Sequence, residues 1–378
     1  MRTFNVVIGS KAYFSDKTKD LVKPTLFLDI VTLNDNYHKI GKPFPNNEKA
    51  KLLIVRNDSY VGITESANDR VGNLIFELTS DDAVVWLHNP SSNLLFFLNS
   101  LNDSKEITLD IDRQKYDITR DKNNYLNGMR AIHQIVIGQD NAIIETSKSL
   151  RYLTSVQRKK PYVIMLYGNS SIGKTELVKA IAKNFFDNKF LEKHLSMFKS
   201  NVNSDYLFGD KPNRRSIGFD LLERESNLIF LDEFDKCAEF FYSVFYTLFD
   251  NTVFKDAVYE VDISGALIIL TSNYSNEDEM KEHLGLPIYY RIDKFIHFED
   301  FSQETIYKIV CKELDDKYEE YKDYFTKEEV YSIVSKRILS QGENARTIKN
   351  KIQAVLEELL FKTMLESKED ESFALEEN

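Results

Sequence analysis

The residues that indicate chemistry most directly form a phosphate-binding loop of the pattern GxxxxGK(S/T), Gly168-Asn169-Ser170-Ser171-Ile172-Gly173-Lys174-Thr175. In such a loop the glycines allow backbone N–H groups to face a polyphosphate, and the following helix adds partial positive charge. Lys174 is expected to reach the β- and γ-phosphates, and the Thr175 hydroxyl is expected to ligate Mg²⁺. The loop therefore predicts binding of a nucleotide, ATP, with Mg²⁺, and leaves its use open.

Two later segments end in polar side chains suited to hydrolysis. The apolar run 227–231 is followed by Asp232 and Glu233, and the run 266–270 is followed by a polar tip that ends at Asn273. We expect Asp232 to hold the Mg²⁺ shell, and Glu233 to accept a proton from, or orient, the water that attacks the γ-phosphate. Asn273 could hydrogen-bond the γ-phosphate or that water. These residues indicate ATP hydrolysis.

The elements that must position these residues predict a parallel α/β sheet. Residues 162–167 are expected to form a buried strand before the phosphate loop, and residues 176–183 an amphipathic helix after it. From 160 to 300 apolar strands alternate with helices, which is typical of a parallel sheet flanked by helices. From Phe301 onward the pattern is helical, and Thr326-Lys327-Glu328-Glu329 is a capping box that opens a helix.

The first 120 residues predict a different kind of domain. Short apolar segments separated by turn residues favour a compact β barrel or sandwich. The candidate strands are Thr3–Ile8, Thr25–Thr32, Lys51–Val55, Tyr60–Thr64, Asn73–Leu78, Ala83–Leu87, Leu94–Leu98 and Lys105–Ile111. The predicted organisation is a mainly-β N-terminal domain over 1–120, a large α/β ATPase subdomain over 121–300, a helical lid over 301–365 and a flexible acidic tail over 366–378.

Composition restricts the class of protein. The 378 residues are 42% apolar, enough for two or three domains, and no apolar run approaches the roughly 18 residues of a membrane span. The two cysteines, Cys237 and Cys311, lie far apart in the sequence, which argues against a disulfide framework and fits the cytoplasm. A net charge of −11 argues against a surface that binds nucleic acid everywhere, although a local basic patch stays possible.

Six motifs in order along residues 125–365 resemble the Clp-type (unfoldase-like) branch of the AAA+ ATPases. They are Val136-Ile137-Gly138-Gln139-Asp140-Asn141-Ala142, Gly173-Lys174-Thr175-Glu176-Leu177, Leu231-Asp232-Glu233-Phe234-Asp235-Lys236-Cys237, Thr271-Ser272-Asn273, Tyr290-Arg291-Ile292-Asp293 and Ala345-Arg346. The resemblance implies an α/β P-loop AAA+ module with a C-terminal helical lid. It also implies that the backbone around Val136 and Ile137 contacts adenine. Asn344 stands where the family has glycine before Ala-Arg.

The same resemblance implies an assembly and two arginine roles. Clp-type ATPases form rings, commonly of six subunits. Arg291 would reach the ATP site of a neighbouring subunit and neutralise charge in the transition state. Arg346, from the lid, would contact the γ-phosphate of its own subunit, so that lid rotation couples hydrolysis to movement.

The sequence differs from the family in one loop. Clp-type rings grip polypeptide with this loop, which carries an aromatic-Val-Gly motif. In the corresponding stretch, 208–219, Ser216 stands at the position of the aromatic residue, and Phe219 could substitute only in a shifted register. The candidates for this pore loop are Arg214, Arg215, Ser216, Ile217 and Phe219. Threading of polypeptide is therefore in question.

Three functions stay open at this point. The first is an ATPase that remodels or regulates a protein partner recognised by residues 1–120. The second is a nucleic-acid-stimulated ATPase of a bacterial defence or mobile-element system, with Arg214 and Arg215 in a basic collar and strong salt dependence. The third is a nucleotide-gated assembly scaffold with slow turnover. The acidic charge disfavours the second, and we favour the first.

Overall fold

The N-terminal part of the chain folds around a parallel sheet. The computed structural model describes residues 1–116, 122–156, 158–200, 203–212, 214–338 and 343–376. The first strands are β1 Arg2–Ile8, β2 Thr25–Leu26, β3 Ala50–Val55, β4 Thr79–His88 and β5 Ile107–Arg113. They lie in the order β2-β3-β4-β1-β5, and each adjacent pair is parallel. The connecting helices are α1 Lys11–Thr18, α2 Phe27–Lys39, α3 Glu65–Asp69, α4 Val71–Leu78 and α5 Ser92–Asp103.

The prediction of a mainly-β barrel or sandwich over 1–120 is therefore wrong. Most of Thr25–Thr32 lies in α2, Asn73–Leu78 lies in α4, and Leu94–Leu98 lies in α5. Within α5 the buried residues Leu94 and Leu98 are one helical turn apart. Short apolar runs do not distinguish a buried strand from one face of a short helix, because both bury the same residue types.

Residues 162–297 contain a second parallel sheet, as predicted. Its strands are β6 Tyr162–Tyr167, β7 Leu191–His194, β8 Leu228–Asp232, β11 Leu267–Thr271 and β12 Lys294–His297, and a separate antiparallel hairpin pairs β9 Val253–Lys255 with β10 Glu260–Asp262. The sheet order is β12-β6-β11-β8-β7. Val163 and Met165 of β6 pack into one apolar cluster and Ile164 and Leu166 into another, so the sheet is buried on both faces.

Helices cover both faces of this sheet. They are α6 Lys122–Ile135, α7 Asp140–Ser155, α8 Lys174–Phe185, α9 Ser204–Phe208, α10 Ile217–Leu222, α11 Tyr242–Asp250 and α12 Glu277–Tyr289. Leu177, Val178 and Ile181 of α8 are buried at helical spacing against the sheet. This packing fixes the helix that starts at the phosphate loop.

The lid is helical, as predicted. It comprises α13 Gln303–Asp316, α14 Tyr318–Tyr321, α15 Lys327–Ile338 and α16 Ala345–Glu376. The capping box is confirmed: Glu329 N–H donates to Thr326 Oγ1 (3.3 Å), and Thr326 N–H donates to a Glu329 carboxylate oxygen (2.8 Å). Helix α16 continues through Glu376, whereas the sequence favoured a flexible tail from 366; residues 377 and 378 lie outside the described part. No helix within the described ranges is long and apolar enough to cross a membrane.

Candidate functional site

The phosphate loop joins β6 to α8 through backbone conformations that favour glycine. Gly168 has φ 132° and Gly173 has φ 106°. A Cβ on Gly168 would lie 2.4 Å from the Phe298 carbonyl oxygen, so a side chain does not fit there. Ser171 also has a positive φ, 62°, although it is not glycine. The loop thus encloses a tight turn directly before the N-terminus of an α-helix, the arrangement that binds anions.

The Lys174 amine is held inside this loop. Its Nζ donates to the carbonyl oxygens of Gly168 and Asn169, each at 2.6 Å, and to Asn273 Oδ1 at 3.2 Å. The side chain is buried, and burial lowers the pKa of Lys174 to about 8. The structure therefore brings together Lys174 and Asn273, which lie far apart in the sequence.

Thr271 links the Asp232 carboxylate to the Glu233 backbone at the end of β8. Its Oγ1 donates to Asp232 Oδ1 and accepts the Glu233 backbone N–H at 2.9 Å. Glu233 itself has the left-handed conformation φ 55°, ψ 47°, which is uncommon for a residue with a side chain. The sequence analysis assigned Thr271 no role of its own. The feature that could have indicated it is a hydroxyl residue at the end of β11, the strand next to β8, which ends at Asp232.

These groups line one cavity of about 460 Å³. Its walls are contributed by the phosphate loop, the ends of β8 and β11, and the lid: Ser170, Ser171, Gly173, Lys174, Thr175, Glu176, Asp232, Glu233, Thr271, Ser272, Asn273, Ala345, Arg346, Lys349 and Asn350. The Thr175 hydroxyl and the Asp232 carboxylate supply oxygen donors, the type that Mg²⁺ prefers. The donor set of this cavity therefore fits the ion that the sequence predicts.

A second, more apolar cavity of about 240 Å³ adjoins the first. Val136, Ile137 and Ile172 line it, together with Phe301 and Ile309 of the lid side. Both cavities share Gly173, Glu176, Ala345 and Lys349 as walls. We call the two adjoining cavities the cleft. Its polar end is the first cavity, and its other end combines these apolar residues with Lys312, Glu313 and Asp316, which suits a nucleotide with a polyphosphate and a base.

The lid closes onto the phosphate loop directly. The Ala345 N–H donates to the Ser171 carbonyl oxygen at 2.9 Å. This contact places the start of α16, including Arg346, on the wall of the phosphate cavity. Arg346 and Lys349 thus bring two cations from the lid to the polar end of the cleft.

Arg291 is not among the described residues that line this cavity. Its Nε is 2.7 Å from Asp250 Oδ2, in an ion pair without hydrogen-bond alignment, and its Nη1 donates to Pro287 O at 2.5 Å. The guanidinium lies over the Tyr246 ring, 4.7 Å from its centroid. Contacts with α11 and α12 therefore hold this arginine in place.

The pore-loop candidates are tied into local structure; residue 213 of this stretch lies outside the described ranges. Arg214 pairs with Asp205 (2.8 Å) and Asp210 (3.0 Å), and Arg215 pairs with Asp220 (2.5 Å). Buried Ser216 caps α10 and donates to Asp256 Oδ2 at 2.7 Å. Ile217 is buried and Phe219 packs against Tyr259. The last residues of this stretch, 217–219, thus belong to α10, the short helix that Ser216 caps.

His194 is a neighbour of the site that sequence reasoning missed. It ends β7 in register with Asp232, and its Nδ1 lies 3.3 Å from Asp232 Oδ2. Glu192, His194 and Asp232 place their ligand atoms within 4.8 Å of one another. The spacing of histidines along the chain carries no sign of this group, because only the sheet pairing brings Asp232 to it.

Comparison with known proteins agrees with this geometry. The AAA domain (Cdc48 subfamily) family model matches residues 159–328. The chain is similar to the chaperone protein ClpB of Blochmanniella floridana, 29% identical over 174 residues, covering 42% of this chain and 20% of that protein. Residues 159–328 thus match an AAA domain, and the similarity to ClpB supports the resemblance to Clp-type AAA+ ATPases.

Two further ClpB proteins match longer stretches of the chain. That of Prochlorococcus marinus is 24% identical over 331 residues, covering 73% of this chain and 38% of the relative. That of Lactococcus lactis subsp. cremoris is 24% identical over 276 residues, covering 63% and 32%. The chain thus spans less than two fifths of the length of these relatives.

Proposed function

We propose that this chain hydrolyses ATP and uses the energy to remodel or regulate a protein partner. The observation that carries the proposal is the meeting of Lys174, Asn273 and the Asp232–Thr271–Glu233 group in one cavity next to an apolar pocket. Phosphoryl transfer to water requires three kinds of group. A lysine offsets the phosphate charge, a carboxylate orients the water, and an amide contacts the terminal phosphate.

In this proposal each residue has a distinct task. Glu233 orients the attacking water and accepts its proton, while Lys174 and Arg346 offset the charge that develops on the transferred phosphoryl group. Thr175 and Asp232 would hold Mg²⁺, which neutralises phosphate charge when it is bound. Arg291 serves the site of a neighbouring subunit in a ring, for which we expect six members from the family.

The ion pairs of the basic residues favour a protein partner over nucleic acid. Arg214 and Arg215 each pair with carboxylates of their own subunit, so a basic collar would require these ion pairs to break. The relatives in the comparison are named chaperone proteins. The burial of Ser216 and Ile217 favours regulation or local remodelling of a partner over threading of a long polypeptide.

The test is steady-state ATPase activity with and without casein, single-stranded DNA and duplex DNA, at low and moderate salt. We expect Mg²⁺-dependent turnover that casein stimulates and that DNA leaves unchanged. Salt-sensitive stimulation by DNA would instead support the nucleic-acid function. Slow turnover insensitive to each polymer would support the scaffold function and contradict the proposal.

A further inference from the structure

A carboxylate of the ATPase module is inserted into the N-terminal domain. Glu223 follows α10, and it enters the edge of the N-terminal sheet at which β1 and β4 end. Its Oε2 accepts the backbone N–H of Lys11 at 2.9 Å, and its Oε1 accepts from Asn89 Nδ2 at 3.3 Å and from Asn57 Nδ2 at 3.4 Å. Lys11 is the first residue of α1, so the carboxylate also lies at the positive end of a helix.

The groups around Glu223 form a built anion pocket rather than a chance surface contact. Asn57, His88 and Asn89 are each at most 2% exposed. Asn57 is oriented by the Tyr259 hydroxyl, which donates to its Oδ1 at 3.3 Å, and Asn89 is oriented by the Gly9 N–H at 2.9 Å. Asn89 Nδ2 also donates to the Gly9 carbonyl oxygen at 2.9 Å and lies 3.1 Å from His88 Nε2. Buried polar groups are costly unless they are satisfied, so Glu223 completes a buried polar network to which both domains contribute.

The N-terminal domain held in this way lies over a defined part of the ATPase module. The Ser92 N–H donates to the Val258 carbonyl oxygen at 2.9 Å, and Tyr116 donates to the Arg224 carbonyl oxygen at 2.9 Å. A cavity of about 310 Å³ between the domains is walled by 210–212 and 257–258 on the ATPase side. We call residues 210–212 and the β9–β10 hairpin the covered face.

The covered face adjoins the segment that corresponds to the gripping loop of Clp-type rings. Ser216 and Gly218 of that segment bond to Asp256 in the hairpin, at 2.7 Å and 3.2 Å. The same Asp256 accepts the N–H groups of Val258 and Tyr259 at 2.8 Å and 2.7 Å. The hairpin and the segment are thus one unit, and the N-terminal domain sits on it.

We propose that Glu223 is a latch that holds the N-terminal domain over the covered face, and that release of the latch opens this face to a partner polypeptide. The second half rests on the proposed function; the first half stands on the contacts alone. The latch is a carboxylate surrounded by donors, so removing its charge or placing a second carboxylate beside it releases the domain.

The experiment is hydrogen exchange on the full chain, with Glu223→Gln compared with Glu225→Gln. Glu225 is a matched control, because it lies two residues away and pairs with Lys189 at 2.9 Å on the surface. In Glu223→Gln an amide group faces the donors of the pocket, and we expect exchange at the Ser92 amide and in the hairpin to rise about tenfold or more. Glu225→Gln should match the unaltered chain. Equal exchange in both variants would overturn the latch.

A second pair of variants separates a latch from general misfolding. Asn57→Asp keeps an acceptor for the Tyr259 hydroxyl but places a carboxylate opposite Glu223, so it should also release the domain. In the double variant Asn57→Asp with Glu223→Gln, the new amide can donate to the new carboxylate, and exchange should return toward the original level. Additive damage in the double variant would refute the pairing.

Binding of fluorescent casein tests the second half of the proposal, that release of the latch opens the covered face to a polypeptide. We expect Glu223→Gln to bind casein more tightly than Glu225→Gln does. Equal binding by both variants would refute access control while leaving the proposed function intact. If casein bound to neither variant, the proposed polypeptide partner would fail, and the exchange results would still decide the latch.

Discussion

Thr271→Val is the sharpest test of the catalytic geometry. The substitution keeps the shape of a buried side chain but removes the hydroxyl that donates to Asp232 and accepts the Glu233 N–H. A hydrogen bond to a charged group contributes about 1.5–3 kcal/mol. If that energy positions the two carboxylates, kcat should fall about tenfold to a hundredfold, since each 1.36 kcal/mol corresponds to about tenfold in rate. The apolar pocket is untouched, so ATP affinity should change little.

The assay is phosphate release at saturating ATP, with the affinity for ATP measured separately by titration calorimetry. A series of Mg²⁺ concentrations distinguishes loss of ion affinity, which added Mg²⁺ would restore, from loss of carboxylate position, which it would not. Thr271→Ser is the control, because it keeps the hydroxyl and removes only a methyl group. Full kcat in Thr271→Val, or an equal fall in both variants, would refute the assigned role.

The remaining predictions concern the phosphate loop, the carboxylate, the second arginine and pH. Lys174→Ala should lose ATP binding by calorimetry, and ordinary affinity would refute the loop assignment. Glu233→Gln should bind ATP but hydrolyse it slowly, and undiminished turnover would assign the water to another group. Arg291→Ala should lose hydrolysis and keep binding; full-rate hydrolysis by a strictly monomeric form of the unaltered chain, shown by sedimentation, would contradict its role in trans. Burial lowers the pKa of His88. The nearby carboxylates of Glu223 and Asp58 oppose this by raising the pKa, and Lys11 lowers it further. The folded state therefore favours neutral His88, so the contribution of His88 to the stability of the fold should be complete above its ordinary pKa of 6.5 and be lost as pH falls below it, seen as a lower midpoint of chemical denaturation.

The sequence predicted the parts of the fold that local patterns determine. The β6–loop–α8 unit follows from a motif and two flanking periodicities, and the capping box at Thr326 follows from four adjacent residues. The prediction for the N-terminal domain was wrong because α4 and α5 are short helices with apolar segments that suit strands equally well. These two helices are too short for the helical period of their apolar residues to be recognised in the sequence.

The contacts that complete the site could not be predicted, because they depend on sheet order. Thr271 and Asp232 are 39 residues apart and meet only because β8 and β11 are neighbours. The bond between Lys11 and Glu223 joins residues 212 apart and depends on how two domains pack. Residue types suggested which side chains could act, whereas topology decides which of them meet.

Strand β8 connects the catalytic end of the sheet to the N-terminal domain. It pairs with β7 and β11 on its two edges and is buried along most of its length, and its residues span about 17 Å. Asp232 is at one end, and at the other end Asn227 is tied to Ser264 and to Arg224, the residue after Glu223. A displacement of Asp232 along the axis of this strand would therefore act on residues next to the contact between the two domains. Linkage then runs in both directions: a nucleotide that changes docking has its own affinity changed by docking, by the same factor.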